Sequence, residues 1–169
     1  MYDREFELLL ERSEKVAQRL KSFLFVEKIP LSLFCMKTAP DTLFADAVAG
    51  EYQPCRVGDT WGKSWDNAYF RIQGQIPSRW PRQNLALRLN FSGEGILFDA
   101  AGVPVYGLTN SSYFKDTFTK EYYHLPPGGY ADGRLELYCE CAANEICGLD
   151  VDYDPPLDTP HRYGKFTPV

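Results

Sequence analysis

The chain has 169 residues, 18 Lys+Arg against 23 Asp+Glu, a formal net charge of −5, and only two histidines. Hydrophobic residues at 44% and charged residues at 24% suit one well-cored globular domain and exclude wholesale disorder. The acidic balance without a basic block argues against nucleic acid as a partner. No apolar run approaches the roughly 20 residues of a bilayer span, which argues against a membrane.

The first seven residues, Met1 to Glu7, are charged and mostly acidic, the opposite of a secretory leader. Five cysteines in a chain without export are expected as thiols in the cytoplasm, and their odd number agrees. Cys139 and Cys141 fall on one face of a strand-like run, about 6.8 Å apart by strand rise, at or beyond the disulfide range.

Residues 3 to about 25 predict an amphipathic helix. Tyr2, Phe6, Leu9, Val16, Leu20 and Phe23 recur at helical spacings, with Glu7, Glu11, Lys15 and Lys21 largely off that stripe. Such a face packs against its own domain or a neighbour; a membrane-surface helix would carry a more basic polar face. After Pro30 the texture becomes short alternating runs separated by Gly, Pro, Asn and Asp. Residues 31–35, 69–72, 85–91, 95–99, 103–106 and 134–141 predict strands, with Leu135, Leu137, Cys139 and Cys141 facing inward. The expected architecture is mainly β: an antiparallel jelly-roll-like sandwich preceded by one helix. The chain divides as helix 1–28, sandwich 29–150 and extended tail 151–169.

Chemistry-bearing groups are sparse. Asp150, Asp152 and Asp154 open like a calcium loop, but Pro155 replaces the turn glycine and His161 the closing glutamate. Cys139, Cys141 and Cys147 lack zinc-site spacing, so no metal is expected in this chain. His124, His161, Ser111 and Ser112 form no nucleophile motif. Glu94, Asp99 and Glu140 are the carboxylates from which a glycoside-cleaving pair would have to come. Trp61, Trp65, Tyr69 and Trp80 lie within twenty residues and offer flat faces of the kind that stack on sugar rings. The preferred reading of tryptophans beside a sandwich is nonetheless packing.

Three stretches taken in order carry a resemblance. They are residues 57–72, Val-Gly-Asp-Thr-Trp-Gly-Lys-Ser-Trp-Asp-Asn-Ala-Tyr-Phe-Arg-Ile; residues 89–99, then 102–104 and 107–109; and residues 138–144 with Gly148 behind them. The glycines at 58, 62, 93, 95 and 107 suit turns that need a positive φ or close backbone approach. Together the three stretches resemble the N-terminal β-sandwich domain of class II alpha-mannosidases, glycoside hydrolase family 38, over roughly residues 2 to 160. The resemblance implies a galactose-binding-like jelly roll joined, in the parent, to a catalytic domain that hydrolyses alpha-mannosides with a divalent metal, usually zinc. The family's His-x-His-x-Asp metal motif has no counterpart here, so no catalytic or metal residue carries over. The resemblance therefore implies a non-catalytic module that supports its own catalytic domain and sister subunits. Its binding candidates, for sugar stacking or a domain interface, are Trp61, Trp65, Tyr69, Trp80, Glu94 and Asp99. The alternatives are a free-standing module that stacks mannose-containing oligosaccharides on Trp61, Trp65 and Trp80, and a hydrolase working through Glu94 and Asp99.

Overall fold

The computed structural model describes residues 2–63, 65–109 and 120–144. The expected tail at 151–169, the calcium-like run, Cys147, Ser111, Ser112 and His161 lie outside the described residues. The chain divides into two compact units, residues 1–30 and the remainder from Leu31.

The first unit is the helix α1 (Tyr2–Lys21). It ends two residues before the last member of the apolar stripe, Phe23. The Ser22 hydroxyl donates to the Arg19 carbonyl at 2.7 Å, and the Ser22 and Phe23 amides reach three residues back to Arg19 and Leu20. These tighter bonds compete with the α-helical pattern and close its last turn. Arg19 and Lys21 stand in that turn, where cations complement the helix dipole.

The second unit contains β1 (Ser32–Thr38), α2 (Phe44–Ala49), β2 (Gln53–Cys55), β3 (Asn67–Gln75), β4 (Ala86–Arg88), β5 (Glu94–Asp99), β6 (Pro104–Thr109), β7 (Tyr122–His124) and β8 (Arg134–Ala142). Six strands form one antiparallel sheet in the order β2-β1-β3-β8-β5-β6, and β4 pairs with β7. The long strands β3 and β8 lie at its centre, with Phe70 opposite Cys139 and Ile72 opposite Leu137. That register puts Ala68, Phe70, Ile72, Leu135, Leu137, Cys139 and Cys141 on one face. They form the main core with Leu97, Leu108, Leu87, Leu89, Phe91 and Tyr123. The rings of Phe70 and Phe91 stack at 4.4 Å. The run 85–91 alternates as its pattern predicts, although only Ala86–Arg88 forms a ladder.

The opposite face of the large sheet is also covered, which the sequence pattern does not announce. Phe44 at the start of α2 lies 5.2 Å from the ring of Phe98 and 5.5 Å from that of Tyr138. Tyr69 and Tyr138 of the sheet are buried on this side, as is Ala47 of α2 itself. A six-residue helix is too short to display a 3.6-residue period, so α2 leaves no readable signal. Strand β2 is hidden by its Pro54, which is tolerated because β2 pairs only with β1 and forms the sheet edge.

Candidate functional site

Trp61 and Trp65 begin four residues apart and end in opposite environments. Trp61 is 4% exposed, packs edge-on against Phe70 at 5.3 Å, and donates its indole N–H to the Phe91 carbonyl at 2.9 Å. Both its apolar faces and its one polar atom are committed to the core, so it presents nothing to a sugar. The three-indole stacking platform is therefore not formed. Trp80 is half-buried in the turn after β3, and Tyr69 is buried on the α2 side with its hydroxyl donating to Glu140 at 3.1 Å. Burial beside the Glu140 carboxylate pushes the Tyr69 phenol upward.

Trp65 is different: its side chain is 48% exposed and its backbone is left-handed, φ +69°. A bulky residue in that region costs on the order of 1–2 kcal/mol, and the surroundings hold it there. The Trp65 amide donates to the Ala143 carbonyl at 2.8 Å, and the Ala143 amide returns to the Asp66 carbonyl at 2.9 Å. Asp66 closes the turn by accepting the Lys63 amide at 2.9 Å and facing Lys37 Nζ at 3.4 Å. The Lys63 amide, then Lys37, holds its carboxyl below the usual range.

The end of β8 is gripped from its other side by the turn into β5. Ser92, buried, is also left-handed at φ +55°. A Cβ on Gly93 would stand 2.2 Å from the Ala142 carbonyl oxygen, so only glycine permits this approach. Glu94 and Asn144 then bond reciprocally. The Glu94 amide donates to Asn144 Oδ1 at 3.1 Å, and Asn144 Nδ2 donates to the Glu94 carboxylate at 2.8 Å. Trp65, Glu94 and Asn144 are thus brought to one end of the sandwich around Ala143.

Asp99 does not join them. Its Oδ1 accepts the amides of Ala101 and Val103, both at 2.9 Å, and so shapes the β5–β6 turn. Glu94 and Asp99 occupy the two ends of β5, about 17 Å apart by strand rise, whereas glycosidase carboxylates stand roughly 5–9.5 Å apart. The hydrolase reading through that pair fails on distance. Sequence reasoning also passed over Glu121, which is 6% exposed and accepts from Arg88 Nε at 3.0 Å and Asn90 Nδ2 at 3.2 Å. Its place opposite Leu89, whose amide bonds the Glu121 carbonyl at 2.8 Å, emerges only from the pairing of these segments.

The four described cysteines are free thiols. Burial pushes Cys35 up to about 11 and Cys55 up to about 12, so neither is an activated nucleophile. Among the described residues, no three His, Cys, Asp or Glu side chains gather as a metal site, and no helix is long and apolar enough to cross a membrane.

The antiparallel sandwich has counterparts in sequence among known proteins. The family model described as "Alpha-mannosidase, jelly roll domain" matches residues 29–164, and the chain belongs to that family. It is 32% identical over 148 residues to human Alpha-mannosidase 2C1, covering 82% of this chain and 14% of that protein. It is 27% identical over 109 residues to Alpha-mannosidase G of Dictyostelium discoideum, covering 64% of this chain and 10% of that protein. Alpha-mannosidase of Saccharomyces cerevisiae is 26% identical over 113 residues, 64% of this chain and 10% of its own. The chain thus spans only a small part of the relatives it matches.

Proposed function

We propose that this chain acts as a non-catalytic N-terminal domain of an alpha-mannosidase-like glycoside hydrolase, supporting the catalytic domain and the packing of subunits. The observation that carries the reading is the jelly-roll family match over 29–164, set against a coverage of 10–14% of the relatives' length. The placement of Asp99 and Glu94 agrees with it, since each carboxylate is taken up in local hydrogen bonds and the two stand far apart. The exposed Leu43, Val48, Ile96 and Val103, around the α2 side of the sheet, supply apolar surface of the kind domain packing uses.

On this reading the parent hydrolyses alpha-mannosides, and its divalent metal, zinc by the resemblance, resides in another domain. Cytoplasmic residence belongs to the same proposal and draws support from the free thiols. The test is hydrolysis of a chromogenic alpha-mannoside by the purified chain, with and without added zinc. No turnover is expected; turnover that survives repurification overturns the non-catalytic role.

A further inference from the structure

We propose that α1 pairs antiparallel with α1 of a second copy of this chain, about a two-fold axis at Ser13. The pairing rests on the subunit packing in the proposed function and gives that packing a surface.

The apolar stripe of α1 reads the same in both directions. Leu10 and Val16 stand three residues either side of Ser13, Leu9 and Ala17 four, and Phe6 and Leu20 seven. At 3.6 residues per turn these positions share one side of the helix. All of them are exposed, Phe6 by 64% and Leu20 by 61%. A copy turned end for end lays the same stripe on itself, Phe6 beside Leu20 and Leu10 beside Val16, which is the self-complementarity that a two-fold interface requires. Ser13, the polar residue at the centre, already donates its hydroxyl to the Leu9 carbonyl at 2.8 Å, so burying it strands no donor.

Charge chooses the orientation. Glu5, Arg12 and Arg19 recur along one flank of the stripe, and Glu7, Glu14 and Lys21 along the other. In an antiparallel pair each flank meets its own copy reversed. Glu5 then faces Arg19 of the second copy and Glu7 faces Lys21 of the second copy, each pair being made twice. Like charges meet only near the axis, at Arg12 and at Glu14. In a parallel pair each flank meets the other in register, so Glu5 faces Glu7, Arg19 faces Lys21, and only Arg12 with Glu14 attracts. Antiparallel packing also opposes the two helix dipoles. Glu11 and Lys15 lie on the far side and pair with each other at 3.8 Å within one helix. A partner of another kind needs neither a stripe that is symmetric about Ser13 nor flanks that change sign along the helix, whereas a second copy needs both.

The test is sedimentation velocity of the full chain from about 1 to about 300 µM, because a contact between two single helices falls below about 1,200 Å² and associates weakly. The wild-type chain is expected to pass from monomer to dimer in that range. Leu10→Lys retains a good helix former and should abolish the dimer. Leu8→Lys, on the far side of α1, should leave it unchanged. Glu5→Lys with Glu7→Lys, and separately Arg19→Glu with Lys21→Glu, should each weaken the dimer about tenfold or more, and mixing the two double variants should restore association. A wild-type chain still monomeric at the highest concentration overturns the pairing, as does a dimer that survives Leu10→Lys. A dimer that is lost in Leu10→Lys but as tight as wild type in Glu5→Lys with Glu7→Lys overturns the antiparallel arrangement, since reversing both acids leaves the like-charge contacts of a parallel pair as they were. A monomeric chain leaves the non-catalytic role standing, and turnover of an alpha-mannoside leaves the helix pair standing, so the two failures are distinguishable.

Discussion

The indole N–H of Trp61 meets the Phe91 carbonyl at 2.9 Å and ties the loop before β3 to the turn after β4. The same indole stands edge-on to Phe70, so one side chain joins both halves of the core. Trp61→Ala is expected to cost about 3–5 kcal/mol, from a large cavity and the loss of a buried donor. Trp61→Phe retains most of the ring and should cost about 1–2 kcal/mol. Trp65→Ala, at an exposed position, should change stability by about 0.5 kcal/mol or less. Trp65→Gly should be the more stable of the two Trp65 variants, because glycine adopts the left-handed backbone without strain. Urea unfolding of the four variants checks the ranking; a Trp61→Ala protein as stable as Trp65→Ala contradicts the assignment.

That contrast also marks how far the sequence is legible. The inward set Leu135, Leu137, Cys139 and Cys141 follows from period-two alternation, because one face of β8 meets the main core throughout. Tyr69 and Tyr138 alternate out of that face and are buried too, under a helix with too few residues to show a period. Trp61 and Trp65 are the same residue type in the same segment, and no local rule separates the buried one from the exposed one. Their fates depend on whether Phe91 or Ala143 arrives beside them. Glu94 and Asn144 are 50 residues apart, and what unites them is the register of β5 on β8. The glycines divide: Gly58 has φ +98° and Gly93 and Gly95 lie where a Cβ would crowd β8, as turn or close-approach glycines should, whereas Gly107 lies inside β6 with no positive φ and nothing close to it.

Gly93 and Gly107 make a controlled pair. A Cβ on Gly93 collides with the Ala142 carbonyl oxygen, a backbone atom that cannot rotate away, whereas a Cβ on Gly107 meets nothing within 4 Å. Gly93→Ala is therefore expected to cost about 3 kcal/mol or more, or to prevent folding. Gly107→Ala lies in β6 without a positive φ and should be neutral or stabilising by about 0.5–1 kcal/mol. Thermal melts of the two single variants read the difference directly.

The acid groups buried in this domain predict a loss of stability in alkali. Burial raises Cys35 to about 11, and burial with its neighbour Cys35 raises Cys55 to about 12, from an ordinary value of 9.0. Cys141 is raised by burial and by Cys139, whose Sγ lies 3.4 Å away, and Tyr52 moves from 10.0 to about 12. Each group ionises at lower pH in the unfolded chain than in the folded one, so above pH 9 the unfolded state binds fewer protons. Stability is then fully present below about pH 9 and is lost as pH rises through 11 to 12. The urea midpoint under reducing conditions should fall steadily over that window, with the first part of the fall reduced in a Cys35→Ala, Cys55→Ala double variant. A flat midpoint contradicts the burial of these thiols.

The Arg88–Glu121 pair gives the sharpest electrostatic prediction. Glu121 is buried, Arg88 holds it through Nε and Nη2, both at 3.0 Å, and Asn90 supplies a third bond. Arg88→Met removes the charge partner and leaves a carboxylate out of water with a neutral donor, at an expected cost of about 3 kcal/mol near neutral pH. Glu121→Gln keeps an acceptor and removes the charge, so it should cost less. Urea unfolding of both variants at neutral pH decides the matter: an Arg88→Met deficit no larger than that of Glu121→Gln means that Arg88 contributes by packing over Tyr122, 5.5 Å from its guanidinium, and not by charge.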